Sequence, residues 1–169
     1  MLLASLGTQT SAPLPSAKLA QLKELPQEIY TGGAKSHFQP KSVHFGDNCR
    51  LDVLHRGDYS QLTNPHELPW DLRVSSKPSC RFLYNNHKPY QRQVYLMTGT
   101  VLPTKARLAL LAAQEMKRFL DRCEKDGEPF GYRMEDLYLL RIEYVSRGTI
   151  QPRIGIRESG GGGMSGCTK

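Results

Sequence analysis

The sequence predicts an α+β fold: a small antiparallel sheet, one main amphipathic helix, a C-terminal β-hairpin and extended irregular arms. Apolar residues recur at three- and four-residue spacing over about 104–126, which is typical of a helix with one buried face. Two runs between residues 140 and 156 alternate apolar and polar side chains, as strands do. The 11 Pro and 15 Gly lie mostly in the first hundred residues and the last fifteen, which indicates irregular structure there.

The chain has 169 residues, which is the size of one ordinary domain. We expect an extended N-terminal arm over 1–40, a single α+β domain over 41–157 and a flexible Gly-rich tail over 158–169. The hydrophobic share of 38% predicts a thin core. The arms are therefore expected to become ordered against neighbouring molecules.

The patterns in the N-terminal half predict short elements joined by loops. A helix is predicted over 17–24, and Pro26 ends it. Residues 42–45 and 50–55 each alternate like a strand, and the Gly, Asp and Asn between them favour a turn, so a first hairpin is predicted. Between 56 and 80 the repeated prolines predict a long loop.

The main helix is predicted from a strand over 93–97 that leads through Gly99 and Pro103 into the apolar stripe. Gly127 is a natural end for this helix, because glycine tolerates the left-handed conformation found at many helix C-termini. The stripe consists of Leu108, Leu111, Ala112, Met116, Phe119, Leu120 and Cys123.

The C-terminal hairpin is predicted from two alternating runs, 140–144 and 150–157, which flank turn residues at 146–149. Pro152 has no backbone N–H to donate to a ladder. We therefore expect the second strand at a sheet edge or against another molecule.

Cysteine and histidine positions argue against metal binding and catalysis. The four cysteines are 31, 43 and 44 residues apart, which fits neither a metal knuckle nor a compact disulfide scaffold and favours a reducing compartment. The five histidines all lie between residues 37 and 87, without the spacing of a zinc-protease helix. We expect no metal, no cofactor and no enzymatic activity. No segment approaches the roughly 20 apolar residues of a membrane span.

Positive charge is concentrated in one quarter of the chain. Residues 81–126 hold nine Lys or Arg against four Asp or Glu, which gives +5 of the formal +7. Such a cluster favours RNA, because each Lys or Arg near a phosphate releases condensed counterions. Tyr84, Tyr90 and Tyr95 lie among these cations and could stack on unpaired bases. The predicted RNA-binding residues are Arg81, Lys88, Arg92, Lys105, Arg107, Lys117, Arg118 and Arg122, with Arg147, Arg153 and Arg157 on the hairpin.

Two ribosomal families share short motifs with this chain. The order Pro103-Thr104-Lys105-Ala106-Arg107-Leu108, a helix, then Asp136-Leu137-Tyr138 and a strand ending at Gly148 resembles the large-subunit ribosomal protein L twenty-two family. That resemblance implies that Lys105 and Arg107 face RNA and that a basic hairpin reaches into it. The segment Gly99-Thr100-Val101-Leu102-Pro103, followed by Gln114, Arg118 and Arg122, is similar to the small-subunit S eighteen family, the second choice.

Both resemblances imply a divergent ribosomal protein of the organellar, mitochondrial type. Its partners would be ribosomal RNA and neighbouring ribosomal proteins within a large assembly, and its role would be structural. The first 29 residues contain two Lys but no Arg, which gives no clear presequence, so a cytoplasmic location is the alternative. Two other functions stay open: an accessory subunit of another large complex, such as a respiratory complex, and an enzyme of unknown class. The accessory subunit would tolerate removal of the basic residues, whereas the enzyme would need a pocket in which one of the five histidines meets a carboxylate or Cys80.

Overall fold

The computed structural model describes residues 21–32, 39–69, 75–97 and 101–158. The elements in chain order are β1 Leu22–Glu24, β2 Lys41–His44, α1 Leu51–His55, β3 Ser79–Phe82, β4 Tyr90–Gln93, α2 Lys105–Lys125, a 3-10 turn Met134–Asp136, β5 Leu137–Ser146 and β6 Thr149–Arg157. The strands form one mostly antiparallel sheet in the order β2-β5-β6-β3-β4, and β1 also pairs with β6. The predicted α+β fold is confirmed.

The main helix α2 agrees with the prediction to within one residue at each end. Thr104 caps it, because the Thr104 hydroxyl accepts a hydrogen bond from the backbone N–H of Arg107 at 3.2 Å. All seven residues of the predicted apolar stripe are buried. Gly127 follows the helix with φ +75°, the left-handed conformation that the sequence predicted.

The predicted C-terminal hairpin is present as β5 and β6, joined by a turn at Arg147 and Gly148. Ile142 on β5 and Ile150 and Ile154 on β6 are fully buried. These side chains form one core with α2 and β3, where Phe82 and Phe119 have ring centroids 5.6 Å apart. The hairpin is therefore the centre of the sheet, and α2 covers one face of it.

The position predicted for β6 from Pro152 is wrong, because β6 lies inside the sheet. It pairs with β5 along one side, and with β3 at Thr149–Ile150 and β1 at 155–157 along the other. Neither β1 nor β3 pairs with Pro152 itself. The carbonyl of Pro152 instead accepts a hydrogen bond from Gln27 Nε2 at 2.7 Å. Proline thus occupies a gap between two short neighbouring strands, where its missing N–H breaks no ladder bond.

The first predicted hairpin is half correct. β2 is a strand at 41–44, but residues 51–55 form the short helix α1. Leu51 and Leu54 are fully buried, as expected for residues three apart on a helix. Asp52 accepts from Arg56 at 3.1 Å, an i, i+4 pair that a helix places together. Five residues are too few to distinguish the helical period of about 3.6 residues from the strand period of about two.

The helix predicted over 17–24 is wrong where it can be assessed, because 22–24 form the strand β1. Residues 17–20 lie outside the described part of the chain, as do the predicted loop residues 70–74, Gly99 and the tail from 159. The strand predicted over 93–97 ends earlier, since β4 spans Tyr90–Gln93. Within the described residues, no helix is long and apolar enough to cross a membrane.

Candidate nucleic-acid interface

Four of the predicted RNA-binding residues lie together where β4 packs beside α2. Lys88 precedes β4, Arg92 lies on it, and Arg118 and Arg122 lie on α2. Their side chains are between 42% and 60% exposed and share two carboxylates, those of Glu115 and Asp126. We call these four cations the β4–α2 ridge. Four positive charges face two negative ones, so the ridge keeps a positive excess.

Glu115 is the anchor of the ridge, although sequence analysis did not select it. It is only 3% exposed, and its carboxylate accepts from the Tyr90 hydroxyl at 2.7 Å and from Arg118 Nη1 at 2.6 Å. Arg92 Nη1 lies 3.5 Å from the same carboxylate. Burial, followed by the hydrogen bond to Glu115, raises the pKa of Tyr90, so its hydroxyl stays a donor. A single buried carboxylate thus orients both arginines.

One signal in the sequence could have identified Glu115. It follows Leu111 by four residues and precedes Phe119 by four, so it lies on the apolar side of an otherwise amphipathic helix. A charged residue is rarely buried unless it is paired. A carboxylate at that position predicts basic or hydroxyl partners on the element that packs against the helix.

Asp126 organises the other end of the ridge, just after α2. Its carboxylate lies 3.4 Å from Lys88 Nζ and 3.7 Å from Arg122 Nε. Arg122 also donates to the backbone carbonyl of Pro89 at 3.3 Å. These contacts join the connection before β4 to the last turn of α2, so the charges at this end have defined positions.

The outer face of α2 extends the positive surface along the helix. Arg107 and Lys125 are exposed, and no ion pair is recorded for either within the described residues. Arg107, Arg118 and Lys125 are separated by eleven and seven residues, spacings that return to the same side of an α-helix. Lys125 was not among the predicted residues, and this spacing is the signal that could have added it.

Three predicted residues lie elsewhere around α2 and β3. The Lys105 side chain is 11% exposed, and its Nζ lies 3.8 Å from a carboxylate oxygen of Glu67. Lys117 forms an ion pair with Asp121 on the flank of α2 away from Arg122. Arg81 places its guanidinium 3.9 Å from the ring centre of Tyr30. None of the three belongs to the ridge.

The predicted hairpin residues are not brought together by the fold. Arg147 is exposed at the turn, and Arg157 donates to Asn48 at 2.8 Å near the other end of β6. Arg153 is 3% exposed and its Nε donates to Glu143 at 2.7 Å. Arg153 therefore forms an ion pair within the sheet and does not reach the surface.

Two of the three tyrosines that were predicted to stack on bases are buried. Tyr84 and Tyr90 are each 6% exposed and pack against Phe119, so their rings are not available to a base. Tyr95 is 60% exposed, and Lys77 Nζ lies 4.9 Å from its ring centre. Tyr95 is the member of this group whose ring is open to a ligand.

Cys49, Cys80 and Cys123, the cysteines in the described part of the chain, are buried and free of disulfides. Burial raises the pKa of Cys49 to about 11, and it also raises the pKa of Cys80 and Cys123. A reactive cysteine requires the opposite shift. Among the described residues, no group of three or more His, Cys, Asp or Glu side chains is arranged to hold a metal ion.

No protein-family model, curated protein or solved structure matches this chain. The functional assignment therefore depends on the residues and their geometry.

Proposed function

We propose that this protein is a structural constituent of a ribosome, of the mitochondrial type, that binds ribosomal RNA through the β4–α2 ridge. The observation that carries the proposal is the buried carboxylate of Glu115, which fixes Arg92 and Arg118 while leaving both side chains about half exposed. Arginines held in this way lose little conformational freedom on binding, and each can donate two hydrogen bonds to one phosphate.

Exposed Arg107 and Lys125 continue the surface along α2, so the ridge and the helix offer a strip of cations to a phosphate backbone. Binding of this kind is electrostatic and positions the protein without reading sequence. It involves no chemical turnover.

Exposed apolar side chains support protein neighbours in the same assembly. Ile29 and Val101 are each 66% exposed and Leu68 is 56% exposed. These side chains also favour the second candidate function, an accessory subunit of another large complex. In that case the β4–α2 ridge would be a solvated surface and would contribute nothing to assembly.

The test is RNA binding by a triple variant, called the ridge variant, in which Arg122 of the β4–α2 ridge and Arg107 and Lys125 of the adjoining face of α2 are each replaced by Glu. Arg118 is left unchanged, because reversing its charge would place a second carboxylate against buried Glu115. The matched control reverses Lys23, Lys41 and Arg56, and it changes the net charge by the same amount. All three are exposed, and they lie on β1, on β2 at the edge of the sheet opposite β4, and just after α1. Both variants are compared with the unmodified chain by fluorescence anisotropy with a labelled single-stranded RNA.

We expect the ridge variant to lose affinity by at least about tenfold near 0.1 M salt, and the slope of log affinity against log salt to fall by about 2. The control variant should keep most of the affinity and the slope. Equal losses in the two variants would show a non-specific charge effect and contradict the proposed interface. No binding by the unmodified chain would reject RNA as the partner.

A further inference from the structure

A cavity of about 340 Å³ opens beside the outer face of α2, on the flank away from Arg122. The chain leaves α2 and crosses back over it at 129–134, and this segment forms one wall of the cavity. The charged and aromatic side chains that line the cavity are those of Lys117, Asp121 and Glu124 on α2 and of Phe130, Tyr132 and Arg133 on the crossing segment. The volume is at the small end of the range for ligand sites, ~300–1,000 Å³, which suits a single ring system.

The aromatic wall has one fixed ring and one open ring. Phe130 is held by Phe119 and Tyr84, with ring centroids 5.1 and 4.8 Å away. Tyr132 meets Phe130 at 5.8 Å and an interplanar angle of 64°, and it is 38% exposed. Gly131 between them has φ +83°, a conformation that turns the chain sharply. Tyr132 therefore offers an open ring face beside a rigid one.

The polar groups of the cavity include both signs of charge. Glu124 is exposed, and no ion pair is recorded for it within the described residues. Lys117 and Asp121 pair with each other at the rim, and their side chains are 45% and 55% exposed. Arg133 is 83% exposed and only loosely paired with Glu135 at 3.6 Å. A ligand would thus meet a free carboxylate and two accessible cations.

We propose that this cavity binds one unpaired guanine of the RNA whose phosphates lie on the β4–α2 ridge. The proposal rests on the proposed function and names the ligand that the same surface selects. The base stacks on Tyr132, as unpaired bases stack on exposed aromatic rings in single-stranded RNA readers. Arg133, which is 83% exposed, contacts a phosphate beside the base.

Guanine is the base whose hydrogen-bonding groups match this cavity. Its Watson–Crick edge presents two adjacent donors, N1–H and the N2 amino group, to which the two oxygens of Glu124 are complementary acceptors. The O6 atom of guanine is an acceptor for the Lys117 ammonium group. Adenine presents an acceptor at N1, which a carboxylate would repel. Uracil has one N–H between two carbonyl groups.

The cavity and the ridge are close enough to act on one strand. Lys117 and Arg118 are consecutive residues of α2, one facing each side. The helix with its side chains is ~10–12 Å wide, a span that a short run of single-stranded RNA covers. Phosphates on the ridge therefore bring a neighbouring base to the cavity.

The experiment compares two labelled heptamers by fluorescence anisotropy: seven uridines, and the same RNA with one central guanosine. The unmodified chain is expected to bind the guanosine RNA about tenfold more tightly. Tyr132→Ala should abolish this preference, while Tyr132→Phe, which keeps the ring, should preserve it. Glu124→Gln should reduce the preference, and replacing guanosine by inosine, which lacks the N2 amino group, should do the same.

The outcomes separate this inference from the proposed function. If the ridge variant loses affinity for both heptamers but guanosine gives no preference, the ridge stands and the guanine site is wrong. A preference that survives Tyr132→Ala would also overturn the site. Failure of the unmodified chain to bind either heptamer would reject the RNA partner and the base site together.

Discussion

Replacing Glu115 with glutamine is expected to lower the free energy of unfolding by about 2 kcal/mol. The carboxylate accepts two short hydrogen bonds, from Tyr90 at 2.7 Å and from Arg118 at 2.6 Å. A hydrogen bond to a charged group contributes ~1.5–3 kcal/mol net. The amide of glutamine keeps one acceptor oxygen, so the loss corresponds to roughly one such bond.

The larger cost of breaking a fully buried ion pair, ~3–5 kcal/mol, does not apply to this substitution. The two arginines are 47% and 49% exposed, so water can solvate their charges when the carboxylate is lost. In these two ion pairs only the carboxylate is buried. The estimate is therefore set by hydrogen bonding and not by an uncompensated charge.

Urea unfolding followed by far-UV circular dichroism measures the change. Glu124→Gln is the matched control, because it makes the same substitution at an exposed position of the same helix and should stay within about 0.5 kcal/mol of the unmodified chain. A loss for Glu115→Gln as small as that of the control would refute the conclusion that this carboxylate joins β4 to α2.

Three further predictions concern the cap, the sheet and the pH dependence. Thr104→Ala removes the N-cap hydrogen bond of α2 and should lower the urea midpoint, at a cost of about 1 kcal/mol. Gly155→Ala should lower the free energy of unfolding by about 1–3 kcal/mol in the same assay, because the added methyl group would lie 3.1 Å from the Leu140 side chain and from the Lys23 carbonyl. Gly148→Ala is the control, because its methyl group meets nothing within 4 Å and should leave the stability unchanged. Burial opposes ionisation of Glu143, but hydrogen bonds from Arg153 and Arg141 outweigh this effect and lower the pKa of the carboxyl group below its usual value of 4.5. The ionised carboxylate therefore stabilises the fold fully above about pH 4.5, and this stabilisation is lost as the pH falls through the lowered pKa. Glu143→Gln should flatten this acid limb in unfolding curves measured at several pH values, and an unchanged limb would contradict the assignment.

The long regular elements could be predicted because their patterns are local and repeated. The stripe of α2 extends over about four turns from Leu108 to Cys123, and its buried positions repeat the helical period. The alternating runs at 140–144 and 150–157 cover half of the ten-residue strand β5 and most of the nine-residue strand β6. Patterns of this length distinguish helix from strand.

Short elements and long-range pairings could not be predicted from local patterns. α1 has five residues, over which the spacing of Leu51 and Val53 fits a strand while that of Leu51 and Leu54 fits a helix. The central position of β6 depends on β1 and β3, which come from more than sixty residues earlier in the chain. Nothing near Pro152 in sequence indicates Gln27, whose amide fills the gap beside it.

The candidate site was predicted in part for the same physical reasons. Exposed cations on a helix face follow from helical spacing, so Arg118 and Arg122 were found together. Their partners on the neighbouring strand depend on the buried carboxylate of Glu115, which the helix presents to β4. Arg153 on the hairpin was expected at the surface, but it is buried and pairs with Glu143, which lies diagonally across from it on β5.

The central proposal, a ribosomal constituent held by RNA, is tested most directly by sedimentation from the cells that produce the protein. A tagged chain is followed through a density gradient, with and without RNase treatment of the lysate, beside the ridge variant with Arg107, Arg122 and Lys125 reversed. We expect the unmodified chain to migrate with one ribosomal subunit and to leave it after RNase treatment, and the ridge variant to associate less. Migration in a large particle that resists RNase, or as a free protein, would contradict the proposal.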